Sequence, residues 1–341
     1  MSERILITGG AGFIGTNYAS RLLSRGSKVT IYDNLSRKGT PRNIAWLKKA
    51  YGPNSFQLIE ADVRDEKSLL EAAQGVDLIL HLAGQVAVTT SVIDPRTDFE
   101  INALGTFNLL EAARQSGQNP VVIYSSTNKV YGDLEDVPVA EGEESYYYPD
   151  HPAGIPESQL MDFHSPYGCS KGAGDQYVRD YHRIYGLPTV VLRQSCIYGP
   201  HQFGIEDQGW VAWFVIAAVT GKPITIFGDG KQVRDLLFVD DLLDAYDMSY
   251  AHIDKTAGQI YNIGGGPANT LSIWKQFGPL LEKELGREIP VTREDWRPGD
   301  QKVFIADISK AHQDFGWKPQ VGVEDGIRRL IDWVRAHQAL F

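Results

Sequence analysis

The chain has 341 residues, of which 43% are hydrophobic and 22% charged, and it carries a formal net charge of −10. This is the composition of a soluble globular protein, long enough for one large or two modest domains around a sizeable core. The acidic balance argues against a nucleic-acid partner, since no basic excess is present to neutralise phosphates, although a small anionic ligand needs only a few local cations.

In chain order, the N-terminus runs straight into a strand, with no signal-peptide architecture. Residues 4–8 read as a short buried strand, followed by Gly9-Gly10-Ala11-Gly12-Phe13-Ile14-Gly15 and a helical pattern. Strand, glycine turn and helix together make a glycine motif informative. The glycines let backbone approach a pyrophosphate. The helix N-terminus at Gly12, Phe13 and Ile14 then offers N–H donors and a positive dipole end. The spacing is GxxGxxG, and a tight turn without a ligand is the alternative. A second strand, 28–32, ends in Asp33-Asn34. An acid there suits the adenosine ribose hydroxyls and repels a 2′-phosphate, which favours NAD over NADP. Arg37 and Lys38 lie close by and pull the other way.

A third strand, 56–60, leads to Asp62-Val63. Asp62 reads equally as an adenine contact or as the cap of the next helix. A fourth strand, 77–82, runs through Leu82 into Ala83-Gly84-Gln85, residues small enough for a cofactor to cross the strand end. The alternation of strands and helices predicts an α/β fold with a doubly wound parallel sheet and a site at the carboxyl ends of its strands. Asn102, within a helical segment over 98–114, either steadies a water or a backbone carbonyl near that site or faces solvent.

The strand 121–124 ends in Ser125-Ser126-Thr127-Asn128-Lys129, and Ser165-Pro166-Tyr167-Gly168-Cys169-Ser170-Lys171 follows later. Pro166 suits a helix start, and Ser165 can cap it. Tyr167 and Lys171 then share one helix face. An ammonium beside a phenol lowers its pKa from about 10, giving a proton acceptor usable near neutral pH. Taken alone, the pair is also what a plain surface contact looks like. Cys169 and Cys196 sit in no CxxC or Cys/His cluster, so no zinc site or disulfide framework is expected, and reduced thiols suit a cytoplasmic location. The apolar stretch 210–219 is too short to span a bilayer, so no membrane role is expected.

The glycine motif, Asp33, LAG at 82–84, SSTNKVYG at 125–132 and YGCSK at 167–171 together resemble the extended short-chain dehydrogenase/reductase family, in its branch of nucleotide-sugar epimerases and dehydratases. The resemblance covers nearly the whole chain. It implies a Rossmann domain over 1–190 that carries the catalytic helix, and a smaller, partly interleaved substrate domain over 191–341. It implies NAD, contacted by Gly9, Gly12, Phe13, Ile14, Asp33, Asn34, Asp62, Val63, Leu82, Ala83, Gln85, Asn102 and Ser125 together with Tyr167 and Lys171. Thr127, Tyr167 and Lys171 match the family triad. Tyr167 would be the acid/base on a sugar hydroxyl, Thr127 would bond the same oxygen, and Lys171 would hold the nicotinamide ribose and lower the Tyr167 pKa. A homodimer or homotetramer is implied as well.

Dehydratases of this family place Asp-Glu after the Thr. Asn128 and Lys129 offer no carboxylate, and elimination needs a second acid/base. Oxidation to a ketosugar and return of hydride to the opposite face remains, with NAD recycled. The runs DFHSPYGCSKG at 162–172, CIYGPHQFGIEDQGWVAWF at 196–214 and GDGKQVRDLLFVDDL at 228–242 resemble the group that inverts C2 of a CDP-linked 3,6-dideoxyhexose. Gln194 and His201 stand where that group carries His and Arg. A CDP-glucose, GDP-mannose or similar hexose therefore stays open, with a UDP-glucose 4-epimerase type behind it. By the same resemblance Arg234 and Arg297 bind the substrate diphosphate. Surface pairing with Asp235 or Asp300 is the alternative. Asn128, His164, Gln194, Ser195 and Val211 complete the expected nucleotide-sugar contacts. Asp240-Asp241 reads as a helix start with no metal, and 323–337 as an amphipathic packing helix.

Overall fold

The computed structural model describes residues 3–206, 208–296 and 301–341. The strands are β1 (Arg4–Thr8), β2 (Lys28–Asp33), β3 (Gln57–Glu60), β4 (Leu78–His81), β5 (Val121–Thr127), β6 (Ala140–Glu141), β7 (Tyr146–Tyr147), β8 (Thr189–Gln194), β9 (Cys196–Tyr198), β10 (Ile224–Phe227), β11 (Val233–Phe238), β12 (Gln259–Ile263), β13 (Thr270–Ser272), β14 (Val291–Glu294) and β15 (Val303–Phe304). Seven of them form one sheet in the order β12-β8-β5-β4-β1-β2-β3. The pairs β1·β2, β1·β4, β2·β3 and β4·β5 are parallel. Helices separate these strands, as the alternating pattern predicts. Segments such as LILH in β4 are buried along their whole length, the reading of a parallel strand covered on both faces.

The helices that carry the argument are α1 (Phe13–Ser24), α2 (Thr40–Tyr51), α3 (Glu66–Ala72), α4 (Val88–Ile93), α5 (Pro95–Phe99), α6 (Gly105–Gln115), α7 (Ser165–Tyr185), α8 (Trp210–Thr220) and α9 (Val239–Ala251). The helical segment expected over 98–114 is not uniform. A π-helical turn, Glu100–Leu104, lies between α5 and α6, a feature that often marks a functional site. On one side of the sheet Leu109, Leu110, Ala113 and Val178 join Leu6, Ile79 and Val122 in a continuous buried cluster.

The chain divides into two compact units. The first comprises 1–130, 163–193 and 243–261, and the second 131–162, 194–242 and 262–341. In the second, β11 is the central strand of a small sheet. It pairs antiparallel with β13 and parallel with β9 and β15. The apolar α8 is buried at Val211, Ala212 and Phe214 through Ala218. Asp240 and Asp241 do begin α9. The Asp241 carboxylate accepts the N–H groups of Gln320 and Val321 at 3.0 and 2.9 Å. The helix Val323–Ala336 buries Ile327, Leu330, Ile331 and Val334, the stripe expected of it. Among the described residues no helix is long and apolar enough to cross a membrane.

Candidate active site

The glycine turn is built by contact. Gly9 sits at φ +69°, and a Cβ there would lie 2.7 Å from the Ala83 nitrogen. At Gly15 a Cβ would lie 2.5 Å from the Gly10 Cα, so α1 packs directly on the turn. Gly12 precedes α1 in extended conformation and supplies no side-chain cap. The first-turn N–H groups at Phe13 and Ile14 are therefore not taken by a capping oxygen, and they form a donor set suited to an anion. Asp33, at the end of β2, accepts from the Ala11 N–H at 3.0 Å and the Leu35 N–H at 2.8 Å. Burial pushes its carboxyl up while those two bonds hold it down. Each oxygen has a second lone pair for a hydroxyl donor. The turn thus offers a donor set for an anion and the end of β2 an acceptor for hydroxyl groups.

Of the two readings of Asp62, the helix cap falls. Asp65 caps α3 through the Ser68 N–H. Asp62 instead accepts from Arg64 at 2.8 Å and from the Asn34 amide at 2.9 Å, and the Arg64 guanidinium holds it well below the usual carboxylate range. Val63 is buried with its side chain against Gly105. Leu82 and Ala83 are tied to β1 through the Thr8 backbone and hydroxyl oxygens.

Asn102 does not face solvent. It lies in the π turn and is almost wholly buried. Its side chain forms a pincer on Gln85, accepting from the Gln85 N–H at 2.9 Å and donating to the Gln85 carbonyl at 3.0 Å. Of the alternatives raised for it, the backbone-carbonyl one is what the structure contains.

Tyr167 and Lys171 lie on α7, one turn apart and both buried. Ser165 does the capping, its hydroxyl accepting the Gly168 N–H at 3.2 Å, while His164 precedes the helix with no side-chain cap bond. The Tyr167 hydroxyl is hydrogen-bonded to the Thr127 side chain. Thr127 also accepts the Lys129 N–H at 3.2 Å and bonds the Asn128 side-chain oxygen at 3.4 Å. The expected lowering of Tyr167 by Lys171 is not what the chain shows. Burial pushes Tyr167 up to about 12, opposed by the Thr127 bond and by the positive charge of Arg37. Lys171 is engaged elsewhere. Its Nζ donates to the Ser125 carbonyl at 2.7 Å and lies 4.2 Å from the centre of the Tyr124 ring. Burial lowers it to about 7, while Asp175 and Asp98 hold it up.

Four further groups surround this pair, to which the sequence alone assigns no role in the site. Ser91 accepts the Tyr167 N–H at 3.1 Å. Ser170 and Asp98 join through a 2.5 Å hydrogen bond. His81 lies between the Thr8 and Thr106 hydroxyls at 2.6 and 3.0 Å, and burial lowers it to about 3. Apart from Ser170, which lies within YGCSK, none sits in a local motif. Only a fold that brings α4, α5, β4 and α7 together makes them visible.

The remaining expected contacts belong to the second unit. Gln194 is buried at the end of β8. The Ser195 hydroxyl donates to the Asp235 carboxylate. Val211 is buried in the first turn of α8. Arg234 is buried on β11, its Nη1 donating to the Val233 carbonyl at 2.8 Å, and its charge acts on Tyr148. Surface pairing with Asp235 does not describe it. The two are adjacent on a strand and point to opposite faces, and Asp235 binds Ser195, Gly266 and Ala306. His201 is buried beside the Trp333 ring, 5.3 Å between centroids. Arg297 lies outside the described residues. Among the described residues no group of three or more His, Cys, Asp or Glu is placed to hold a metal ion.

A family profile described as GDP-mannose 4,6 dehydratase matches residues 6–330. The chain belongs to that family. It is 48% identical to the CDP-paratose 2-epimerase of Salmonella typhi, with 97% of this chain and 98% of that one covered. Its structure is similar to that of the UDP-glucose 4-epimerase of Thermotoga maritima with UDP-glucose, with a TM-score of 0.84, 30% identity and coverage of 98% and 99% of the two chains. It is equally similar to the dTDP-glucose 4,6-dehydratase of Streptomyces venezuelae with NAD and TYD bound, at a TM-score of 0.84, 29% identity and coverage of 99% and 98%. The extended short-chain dehydrogenase/reductase resemblance and the doubly wound parallel sheet expected from the sequence are both met.

Proposed function

We propose that this chain is an NAD-dependent nucleotide-sugar 2-epimerase, of the type that converts CDP-paratose to CDP-tyvelose. The reading rests above all on one juxtaposition. The Tyr167 hydroxyl is bonded to Thr127, and the two residues after Thr127 are Asn128 and Lys129, with no carboxylate to support elimination of water. The 48% identity to a CDP-paratose 2-epimerase supports the choice of C2.

In this reading Gly9, Gly12, Phe13 and Ile14 bind the pyrophosphate of NAD and Asp33 its adenosine ribose. Asn34, Asp62, Val63, Leu82, Ala83, Gln85, Asn102, Ser125 and Lys171 line the rest of its path. Bound NAD would supply the acceptor for the hydride of the sugar carbon and, once reduced, the donor for its return. Tyr167 Oη takes the proton of the C2 hydroxyl as the carbon is oxidised to a ketone, and gives it back to the ketone oxygen after the intermediate has turned its other face. Thr127 holds the same sugar oxygen. The first transfer needs Tyr167 as the phenolate and the second uses the phenol so formed, so the burial that pushes Tyr167 toward the phenol favours the return step. Arg234, with Arg297 beyond the described residues, would neutralise the substrate diphosphate. Asn128, His164, Gln194, Ser195 and Val211 would contact the nucleotide sugar. We further read the protein as cytoplasmic and as a homodimer or homotetramer. Exposed Phe107 and Tyr177, packed edge to face at 5.9 Å on α6 and α7, support self-association.

A second reading, a 4-epimerase of UDP-glucose, draws on the likeness to the Thermotoga enzyme. The purified protein, incubated with CDP-paratose and in parallel with UDP-glucose, is followed by NMR. Inversion at C2 of the CDP-sugar is expected. Inversion at C4 of UDP-glucose, with the CDP-sugar untouched, would replace the first reading by the second. Tyr167→Phe should cut turnover by about 10²–10⁴-fold with NAD still bound; undiminished turnover would remove Tyr167 from its role.

A further inference from the structure

The family triad leaves a buried acid unexplained. Asp98, in the last turn of α5, is fully buried. The Ser170 hydroxyl donates to its Oδ2 at 2.5 Å, and the Asn102 amide donates to its Oδ1 at 3.1 Å and to the Ser170 Oγ at 3.2 Å. Ser170 is the neighbour of Lys171, and its hydroxyl also reaches the Tyr167 carbonyl at 3.2 Å. One polar cluster therefore links the π turn that holds Gln85 to the helix that carries Tyr167 and Lys171. Every hydrogen-bond donor on Asp98 in this cluster is neutral. A buried carboxyl whose hydrogen bonds come only from neutral groups either keeps its proton or needs a positive charge nearby.

The charged and titratable groups around Lys171 identify which acid answers to it. Asp175, one turn further along α7, accepts both arms of the Arg193 guanidinium at 2.9 Å and the Ser126 hydroxyl at 2.7 Å. It is the first of the two acids that hold the Lys171 charge up, with Asp98 the second, and it is itself paired with Arg193. His81 from β4 is neutral, Tyr124 from β5 presents its ring, and Tyr167 is a phenol. Arg37 acts on Tyr167 and Asp33. Asp98 and Lys171 act on each other. We infer that Asp98 is a positioning residue for the proton-transfer pair, a buried carboxylate whose charge keeps Lys171 an ammonium while its bonds to Ser170 and Asn102 set the helix against the Gln85 turn.

This rests on the proposed roles of Tyr167 and Lys171, and the physical coupling can be read without turnover. Protein labelled with ¹³C at lysine Cε and at aspartate carboxyls is titrated by NMR, with the Lys171 signal assigned through Lys171→Arg. The Lys171 midpoint, near 7 in the unaltered chain, should fall by about one pH unit in Asp98→Asn, since an opposite charge has been removed. Ser170→Ala keeps the charge and removes the bond, and should leave the midpoint near its original value. In the unaltered protein the Asp98 carboxyl carbon should report the same inflection, which needs no variant to fold. An unmoved midpoint in Asp98→Asn, an equal fall in Ser170→Ala, or no shared inflection would each overturn the inference. In turnover, Asp98→Asn should lose about tenfold at pH 8 and less at pH 6, as its optimum moves acidward. Persistent turnover in Tyr167→Phe would sink the epimerase roles while leaving the Asp98–Lys171 coupling measurable.

Discussion

Each unit holds a fully buried aspartate at the heart of its packing, Asp175 on α7 of the first and Asp235 on β11 of the second. They are held by different chemistry. Asp175 meets the planar fork of Arg193, two bonds at 2.9 Å, with the Ser126 hydroxyl on one oxygen. Among the described residues Asp235 meets no guanidinium in its bonds. It accepts the Ser195 hydroxyl and the N–H groups of Gly266 and Ala306, and burial pushes it up to about 6. Asp175 has a full counter-charge within hydrogen-bond distance. Neutral dipoles leave Asp235 titrating just below neutrality. The first unit therefore braces α7 with an ion pair. The second ties together β11, the residue after β8 and the loops around 266 and 306 with a group that responds to pH.

The largest effect should come from breaking the matched pair. Asp175→Asn leaves the Arg193 guanidinium buried without its counter-ion, and removing one partner of a buried pair costs about 3–5 kcal/mol. Urea unfolding of the variant at pH 7 measures it. If the variant is as stable as the parent, Arg193 has found another anion and the contrast with Asp235 collapses.

Next comes the pH response of Asp235. An unfolded aspartate titrates near 3.9, and the folded one near 6. The folded state thus holds this proton more tightly. The associated stability is fully present below about pH 4 and is lost as pH rises through 6, by on the order of 2–3 kcal/mol. Asp235→Asn keeps an oxygen for Gly266 and Ala306 and turns an amide toward Ser195. It should be close to the parent at pH 4 and more stable at pH 7. Thermal unfolding of both proteins across that range tests the sign. A parent whose advantage grows with pH would mean that Asp235 is ionised with a hidden cation.

The contrast between the units also explains what could be read from sequence. In the first unit information is local. Buried apolar runs announce the strands, the glycines and Asp33 fall within one βα turn and the next strand, and Tyr167 and Lys171 are one helical turn apart. What escaped there depends on tertiary approach. Asn102 reads as a polar residue on a helix, and only the π turn between α5 and α6 brings it to Gln85. Asp98 reads as a helix start and becomes a partner of Ser170 only when α5 meets α7. The same limit hid the fate of the Lys171 charge, because Ser125 and Tyr124 come from β5. In the second unit almost nothing is local. Asp235 takes its partners from residues 195, 266 and 306. No periodicity within β11 distinguishes its role from that of an acid beside Arg234.

The finest test of the comparison is Ser195→Ala. The Ser195 hydroxyl is the side-chain donor to Asp235 and lowers its pKa, alongside the Gly266 and Ala306 N–H groups. A donor of this kind favours the ionised form, so its loss should matter only where that form exists. At pH 7 the variant should be about 1 kcal/mol less stable than the parent, the size of one hydrogen bond. Below pH 5 the difference should shrink toward zero, because the carboxyl is protonated with or without Ser195. The midpoint of the Asp235 transition should move upward, directly visible in the carboxyl ¹³C titration. A loss equal at both pH values would mean that Ser195 contributes through packing or through its bond to the Asp235 backbone carbonyl. The pH response would then belong to the two N–H groups alone.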